Sequence, residues 1–259
     1  MFTLNTKESF MKNIITILCI FTSLILNATP SPFGINYPSQ FDQDKWHIEE
    51  AVNFQTNGFF VDIGALDGEY YSNTYILEKY LDWKGICIEP NPLQYQSLIK
   101  NRKSINLNDC LDYTSHEVDF RYDNNLFAGI VDHDTDNNPE RRANQLKESY
   151  QNNGVIRVMT KTLEQVLDEN HAPHIIDFLS IDVEGAETRI LKNFPFDKYI
   201  FLAMIIERPS IELNQILQEK GYVFVKNDLC DTYYVHPLIR NFDTLIKEPF
   251  TQISSDPGM

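Results

Sequence analysis

A chain of 259 residues is long enough for one well-buried α/β domain with a short leader, and it is short for two full domains. Its hydrophobic fraction of 42%, with 17 Phe and 13 Tyr, is that of a folded globular protein and excludes a disordered one. Because 37 acidic side chains outnumber 22 basic ones, the net charge of −15 repels phosphate backbones and anionic membranes, and we expect no nucleic-acid partner.

The first 29 residues have the pattern of a secretory leader, because Lys12 precedes an uncharged apolar run from Ile14 to Leu26. This run is shorter than the roughly 20 residues that a membrane-spanning helix needs. We therefore predict that residues 1–29 are a signal peptide or a short anchor. The protein is then exported or membrane-anchored, with contact to a membrane only through an uncleaved leader. A buried core helix and a cytoplasmic protein are the alternative.

The cysteines do not indicate a disulfide or metal framework. Cys19 lies in the leader, which leaves Cys87, Cys110 and Cys230, and three residues cannot form a set of bridges. None of them stands in a Cys-x-x-Cys or Cys/His cluster, so we expect no structural metal.

Residues 30–45 are rich in Pro, Ser and Asn and are predicted to be a linker. A helix-like segment then spans 46–54, and the pattern alternates. Strands are predicted at 59–64, 85–89, 104–108, 175–182 and 201–207, and helices at 71–81, 91–101, 163–169, 185–193 and 211–220. Apolar strands interleaved with helices predict a mostly parallel α/β sheet with helices on both faces.

The sheet is expected to end in an antiparallel hairpin formed by 221–225 and 232–235, which closes a domain over 46–240 and leaves a tail at 241–259.

One stretch departs from this alternation. Two further strands are predicted at 117–122 and 155–159, and the polar, acidic segment 123–153 lies between them. We expect this insertion to be a lid with a short helix near 139–151, because long structureless loops are unusual in a compact domain. Its acids resemble a calcium loop only in composition, since the Gly and the terminal Glu are missing; they are Asp132, Asp134 and Asp136.

The first strand ends in Asp62-Ile63-Gly64, and Gly68 follows before the next helix. Such a turn lets a nucleotide-like ligand approach the carboxyl edge of a parallel sheet, and a side chain at position 64 is expected to intrude on it. The glycine spacing is Gly-x-x-x-Gly, unlike the Gly-x-Gly-x-x-Gly of dinucleotide enzymes. Acids at 62, 67 and 69 repel a pyrophosphate and suit a sulfonium. We therefore assign Asp62, Gly64, Asp67 and Gly68 to S-adenosylmethionine, with an ordinary Gly turn as the alternative.

The next two strand ends carry further candidates. Glu89 ends the second strand, where an acid can accept hydrogen bonds from both ribose hydroxyls, or alternatively cap the following helix. Asp109 and Cys110 close the third strand, where the Asp side chain and the next backbone N–H could bracket the adenine edge. A solvated turn is the alternative for Asp109.

The strand predicted at 175–182 runs into Asp182, Glu184 and Glu187 around Gly185. Carboxylates this close together are costly unless they meet a cation, a metal or hydrogen-bond donors. The preference of helix starts for acids explains part of the pattern.

These motifs together resemble the FkbM family of S-adenosylmethionine-dependent methyltransferases over residues 46–237. The strings that carry the resemblance are Asp62-Ile63-Gly64 with Asp67-Gly68, Cys87-Ile88-Glu89-Pro90-Asn91-Pro92, and Ser180-Ile181-Asp182-Val183-Glu184-Gly185-Ala186-Glu187. The resemblance implies a class I methyltransferase, Rossmann-like fold with a seven-stranded sheet. It also implies O-methylation of a small-molecule or glycan hydroxyl.

The resemblance further implies roles for single residues. Gly64 and Gly68 would border the methionine part of the cofactor, Glu89 would hold the ribose, and Asp182 with Glu184 would lie beside the methyl group and the acceptor. At Asp67 the family often has Asn.

A hydroxyl acceptor needs a base for its proton. The candidates, in falling order, are Asp182, Glu184, Glu207 and His133. An ion pair with Arg208 or Arg189 is an equally good explanation of Glu207, and His133 fits a surface position on the lid.

Two other functions remain open. The leader favours an exported binding module that keeps the fold without transfer activity, because S-adenosylmethionine is made in the cytosol. An NAD-dependent oxidoreductase is disfavoured by the glycine spacing and the loop acids.

Overall fold

The computed structural model describes residues 32–34 and 36–254. The predicted leader, residues 1–29, lies outside these residues. Within the described part of the chain, no helix is long and apolar enough to cross a membrane.

The described residues alternate between strands and helices as predicted. The strands are β1 Phe59–Ile63, β2 Lys84–Ile88, β3 Ile105–Leu107, β4 Cys110–Leu111, β5 Glu117–Arg121, β6 Gly129–Ile130, β7 Val155–Lys161, β8 Ile175–Ile181, β9 Ile200–Glu207, β10 Val223–Asp228 and β11 Asp231–Val235. The helices are α1 Gln43–Lys45, which continues as a π-helical turn Trp46–Ala51, α2 Tyr75–Leu81, α3 Pro92–Asn101, α4 Ala143–Gln151, α5 Leu163–Glu169, α6 Glu187–Leu191 and α7 Ile211–Glu219, with a 3-10 turn at Asn125–Phe127.

The main sheet has seven strands in the order β10-β11-β9-β8-β1-β2-β3. The five strands from β3 to β9 are parallel, while β11 is antiparallel to β9 and β10 is antiparallel to β11. This order confirms the predicted class I methyltransferase, Rossmann-like fold. From β1 the strand order runs one way through β2 and β3 and the opposite way through β8 and β9, although all five strands are parallel. Ligands of open α/β sheets bind at such a switch point.

Each face of the main sheet is covered by helices, which places an apolar core on both sides. On one face α5, α6 and α7 pack against residues such as Val61 and Leu179. On the other face α1, α2 and α3 pack against Phe60 and Phe178. Because side chains alternate along a strand, adjacent residues of β1 and β8 supply opposite cores.

A second sheet has the order β4-β7-β5-β6 and stands beside the carboxyl ends of the main strands. The predicted strands at 117–122 and 155–159 form its antiparallel centre as β5 and β7. The sequence pattern did not predict β4 and β6, because two-residue strands carry no periodicity. The helix expected near 139–151 is present as α4.

The predicted linker and tail are corrected by their packing. Tyr37, Gln43 and Asp44 are buried, and Ser39 forms a β-bridge with Tyr71. Residues 36–45 therefore belong to the domain, because their side chains complete the core over α1.

In the tail, Leu245 is buried and the Glu248 N–H donates to the Val225 carbonyl. Residues 241–252 thus pack on the sheet edge rather than leaving the domain.

The core around α1 contains a buried histidine whose ring nitrogens form no hydrogen bonds with the described residues. His47 is fully buried, its ring stacks on Phe178 at 3.9 Å, and neither ring nitrogen has a hydrogen-bond partner among the described residues. Burial lowers the pKa of His47 to about 3. In the unfolded chain the imidazole has its ordinary pKa of 6.5 and binds a proton below that pH, whereas the folded imidazole stays neutral until the pH approaches 3. The stability of the fold therefore decreases as the pH falls from 6.5 towards 3.

We therefore expect His47→Phe to raise the free energy of unfolding by about 1–3 kcal/mol at pH 5, because unpaired buried nitrogens are replaced by carbon. Urea unfolding at pH 5 and pH 8 measures it, with the exposed His171→Gln as control. A lower stability of His47→Phe at both pH values would show that the imidazole has a partner.

Candidate functional site

A cavity opens at the carboxyl ends of β1, β2 and β8, where the strand order reverses. Together with its solvent-filled mouth, the space between its walls measures about 560 Å³. Carboxylates line one part of it, and apolar side chains from the small sheet and the 3-10 turn line the other. The apolar walls are formed by Leu111, Phe120, Leu126 and Ile130. A ligand with an apolar part and a polar, cationic part matches this division.

Glu89 is held rigidly at the cavity wall. Its side chain is buried, Oε2 accepts the Leu66 N–H at 2.8 Å, and Oε1 accepts the Asn91 N–H at 2.7 Å. Burial raises the pKa of Glu89 to about 7 although both N–H bonds lower it. Each carboxylate oxygen has a second lone pair, which can accept a ligand hydroxyl. The alternative role for Glu89, capping the following helix, belongs to Asn91, whose side chain accepts the Leu93 N–H.

Gly64 lines the cavity, but its importance differs from the prediction. With φ of 86°, it lies so close to β8 that an added Cβ would stand 1.9 Å from the Asp182 carbonyl oxygen. The expectation that a side chain at 64 intrudes on the ligand is therefore corrected. Gly64 is required for the close approach of two strand ends, and it shapes the site through them.

The other residues predicted in this loop lie behind it, outside the cavity lining. The buried Asp62 accepts the Thr74 hydroxyl at 2.6 Å, and Asp67 Oδ1 accepts two N–H groups of its own turn at 2.7 and 2.9 Å. Gly68 packs against Arg102 and Leu98. These three residues stabilise the loop, so any effect on a ligand acts through its shape.

Of the pair predicted at the third strand, only Cys110 reaches the cavity. Asp109 pairs with Lys161 at 3.1 Å, because β4 lies beside β7 in the small sheet. Cys110 is buried in the cavity wall, and burial raises the pKa of its thiol to about 12. The pairing with Lys161 could not be predicted, because Lys161 is 52 residues further along the chain than Asp109 and no pattern relates the two.

The three predicted catalytic acids do come together. Asp182, Glu184 and Glu207 each have a carboxylate oxygen within 4.8 Å of the other two. Asp182 is exposed to the cavity, Glu207 is half-buried and Glu184 is buried. Asp182 follows β8 and Glu207 ends the neighbouring β9, and the carboxyl ends of parallel strands meet at one sheet edge.

The proximity of these carboxylates raises the pKa values of Asp182 and Glu184. Protein atoms surround Asp182 closely although the cavity leaves it accessible, and this desolvation, followed by Glu207 and then Glu184, raises its pKa well above the usual value. Burial and then Glu207 raise the pKa of Glu184, while Arg208 opposes them. The Asp182 and Glu207 carboxyls are close enough to share a proton. A carboxyl with a raised pKa can exchange a proton near neutral pH.

Arg208 supplies the counter-charge of this cluster. One guanidinium nitrogen contacts Asp136 Oδ2 at 2.5 Å, Glu207 Oε2 at 2.9 Å and Glu184 Oε2 at 3.5 Å. The predicted pair of Glu207 with Arg208 is therefore present together with the grouping of the acids. Asp136 was not predicted to take part, and no periodicity relates the insertion to β9.

A cation already stands where a metal would be held, because Arg208 contacts Glu184 and Glu207. We therefore assign no metal to the three carboxylates.

Glu187, the third acid of the sequence motif, has a structural contact. Its Oε1 accepts the Val183 N–H at 3.0 Å and the Gly185 N–H at 3.3 Å, and burial raises its pKa to about 8. It holds the turn that carries Glu184, whose φ is 58°.

The acidic insertion is fastened to the domain by arginines. Arg189 contacts Asp112, Asp132 and Asp134 at 2.6 to 2.9 Å. The resemblance of these acids to a calcium loop is thus explained by cationic side chains. His133, the last candidate base, is 69% exposed and lies 3.9 Å from Glu140, away from the cavity lining.

A polar groove of about 1,070 Å³, open to solvent, lies on the far side of the Gly185 turn. The insertion, α6 and the start of α7 form its walls, and charged, polar or glycine residues make up its lining. A ligand in this groove would be hydrated or rich in hydrogen-bonding groups.

Two solved structures have a limited similarity to this chain. The FkbM methyltransferase of Methylobacillus flagellatus has a TM-score of 0.43 at 16% identity over 70% of this chain, which spans 44% of that chain. The human methyltransferase 10 domain containing protein has a TM-score of 0.38 at 14% identity, over 90% of this chain and 97% of that one.

The sequence comparisons are more specific. Methyltransferase sdnD of Sordaria araneosa is 26% identical over 215 residues, which cover 68% of this chain and 78% of the relative. The profile of the family described as Methyltransferase FkbM domain matches residues 62–224, well over half of the chain. The chain therefore belongs to the FkbM methyltransferase family.

Proposed function

We propose that this protein is an S-adenosylmethionine-dependent methyltransferase that methylates a hydroxyl group of a small-molecule or glycan acceptor. The observation that carries the proposal is the cavity at the switch point, where Glu89 lies on one side of the Gly64 turn and Asp182 with Glu184 on the other. Family membership supports methyl transfer, and the arrangement of acids supports the donor.

The acids of the site favour a sulfonium donor over NAD. The acids that line the cavity are, however, not the ones predicted from the loop sequence. Asp62 and Asp67 face away from the cavity, whereas Glu89, Asp182 and Glu184 line it. Three carboxylates around one cavity attract a cationic sulfonium and amino group and repel a pyrophosphate.

S-Adenosylmethionine, when bound, supplies an electrophilic methyl group. Glu89 would accept hydrogen bonds from the ribose hydroxyls, and the walls around Phe120 and Leu126 would hold the adenine ring and exclude water. Asp182, the exposed acid, would accept the proton of the acceptor hydroxyl and share it with Glu207. The remaining task of the protein is to hold the acceptor oxygen in line with the methyl carbon.

The polar groove supports a hydrophilic acceptor. Its wall includes Gly185 and Arg208, which also border the carboxylate cluster. A polyhydroxylated molecule could hydrogen bond to this lining, whereas an apolar one would leave the charged groups desolvated without compensation.

Transfer of tritium from methyl-labelled S-adenosylmethionine tests the proposal. The full-length protein is incubated with a panel of monosaccharides, oligosaccharides and small phenols and alcohols, and labelled product is separated and identified. The proposal expects an O-methyl product that is absent with Asp182→Asn. Label found on nitrogen or carbon would contradict the assignment of a hydroxyl acceptor.

For Glu89→Gln we expect S-adenosylmethionine to bind about 10- to 100-fold more weakly, about 1–3 kcal/mol, because a charged hydrogen-bond acceptor is lost. Equilibrium dialysis with labelled cofactor measures the change. Glu219→Gln removes an exposed carboxylate on α7 and should leave the affinity unchanged. Equal affinities of wild type and Glu89→Gln would place the ribose elsewhere.

A further inference from the structure

A fourth acid, Asp231, continues the row of carboxylates across the sheet. It begins β11 directly opposite Glu207 in the antiparallel pair with β9. Opposed residues of neighbouring strands project from the same face, so Asp231 and Glu207 point to the same side. Asp182 stands next along this row, after β8.

The carboxylate of Asp231 is held by the N-terminal part of the domain. It is 6% exposed, and Oδ2 accepts the Gln43 Nε2–H at 2.7 Å. The Gln43 side chain is itself buried, and its Oε1 accepts the Phe41 N–H at 2.7 Å. This second bond fixes which end of the amide faces Asp231. Residues 41–43, expected to be linker, therefore hold an acid of the row.

The backbone beside Asp231 also holds the residue after Glu207. The Arg208 N–H donates to the Cys230 carbonyl at 2.8 Å, and Arg208 has a φ of 39°. The start of β11 thus constrains the left-handed backbone from which the Arg208 side chain reaches the cluster. Asp231 thus lies beside Glu207 in the sheet, and its neighbour Cys230 contacts the backbone of Arg208.

The negative charge of Asp231 interacts electrostatically with the carboxylates of the site. Burial and then Glu207 raise the pKa of Asp231 to about 7, and Asp231 is among the groups that raise the pKa of Asp182. Asp182 and Asp231 are surrounded by titratable and charged groups from three elements. These groups are Glu184 in the turn after β8, Glu207 at the end of β9 with Arg208 directly after it, and Asp228 and Cys230 in the β10–β11 hairpin. On α1, Asp44 adds a buried carboxyl that bonds to Ser39.

We propose that Asp231, held by the Gln43 amide, is a positioning residue of the methyl-transfer site that acts on Asp182 along the row of carboxylates that both share with Glu207. The proposal rests on the proposed function. It makes the segment around Gln43 a part of the site, where a neutral amide holds the end of the carboxylate row without adding a charge.

The test follows the aspartate carboxyl carbons by NMR in the full-length protein labelled with ¹³C at Asp Cγ, titrated from pH 4 to 9. Asp182→Asn and Asp231→Asn assign the two signals. In Asp231→Asn the midpoint of Asp182 should fall by about one pH unit, a tenfold loss of proton affinity, because a neighbouring like charge is gone. In Gln43→Leu the midpoint of Asp231 should rise, because the carboxylate loses its donor.

Asp228→Asn is the matched control, since it removes the same charge from the same hairpin at a side chain that is 40% exposed. It should leave the Asp182 midpoint in place. An Asp182 midpoint unchanged in Asp231→Asn overturns the positioning role. If Asp231→Asn does not fold, Asp231→Glu removes the labelled aspartate and assigns its signal, and an unchanged Asp231 midpoint in Gln43→Leu then overturns the positioning role.

Calorimetry with S-adenosylmethionine on the same samples separates this inference from the proposed function. Failure of the wild type to bind overturns the proposed function and the positioning role with it. Binding by the wild type together with unshifted titrations overturns the positioning role alone.

Discussion

Arg208→Met should lower the free energy of unfolding at pH 7 by about 3–5 kcal/mol, the usual cost of leaving buried charges without their partner. The guanidinium is 11% exposed and is shared by Asp136, Glu184 and Glu207. Without it the insertion also loses one of its attachments to β9. Chemical denaturation followed by tryptophan fluorescence measures the loss.

The loss should shrink as the pH is lowered. Burial raises the pKa of Glu184, and removing Arg208 raises it further, so the folded variant binds protons that the unfolded chain releases above about 4.5. Such a group favours the fold at low pH and opposes it as the pH rises.

Arg157→Met provides the comparison, because the Arg157 side chain is 67% exposed in its pair with Asp119. An exposed pair contributes about 0–1 kcal/mol. Similar losses in the two variants would mean that the acids around Arg208 do not depend on it.

Gly64→Ala should destabilise the protein by about 2–5 kcal/mol. A left-handed backbone costs a residue with a Cβ about 1–2 kcal/mol, and overpacking adds about 1–3 kcal/mol. The overlap is severe here, since the Cβ would lie 1.9 Å from a backbone oxygen of Asp182 that has no freedom to rotate away. Thermal unfolding of the variant measures the loss.

Gly221→Ala separates the two contributions, because Gly221 has a φ of 88° and nothing within 4 Å of an added Cβ. It should show the conformational cost alone. If Gly64→Ala were no less stable than Gly221→Ala, the close approach of β1 and β8 would not be needed for folding.

Much of the fold could be predicted from the sequence because buried parallel strands are continuous apolar runs. The strand expected at 175–182 is β8, and the helix expected at 163–169 is α5. The two-residue strands β4 and β6 could not be predicted from the sequence, because they form only by pairing with β7 and β5. The segment 30–45 lacks a period, and the burial of Tyr37 depends on the surface that it covers.

The site was predictable to the extent that strand ends define it. Glu89, Asp182 and Glu207 each follow an apolar run, and parallel strands bring such ends to one edge of the sheet. Which way a loop side chain turns is decided by local hydrogen bonds. Asp67 therefore caps its own turn and faces away from the cavity.

The partners that hold the acids could not be predicted, because they come from distant parts of the chain without a shared pattern. Asp136 reaches Arg208 from the insertion, and Gln43 reaches Asp231 across 188 positions. Only the folded topology brings these pairs together.

We propose that the cavity between Gly64, Glu89 and Asp182 binds S-adenosylmethionine. Isothermal titration calorimetry of the full-length protein with the cofactor, repeated with NADH, measures this binding. We expect a single saturable site for S-adenosylmethionine, weakened in Glu89→Gln, and no heat with NADH. No binding at millimolar S-adenosylmethionine, or saturable binding of NADH in its place, would contradict it.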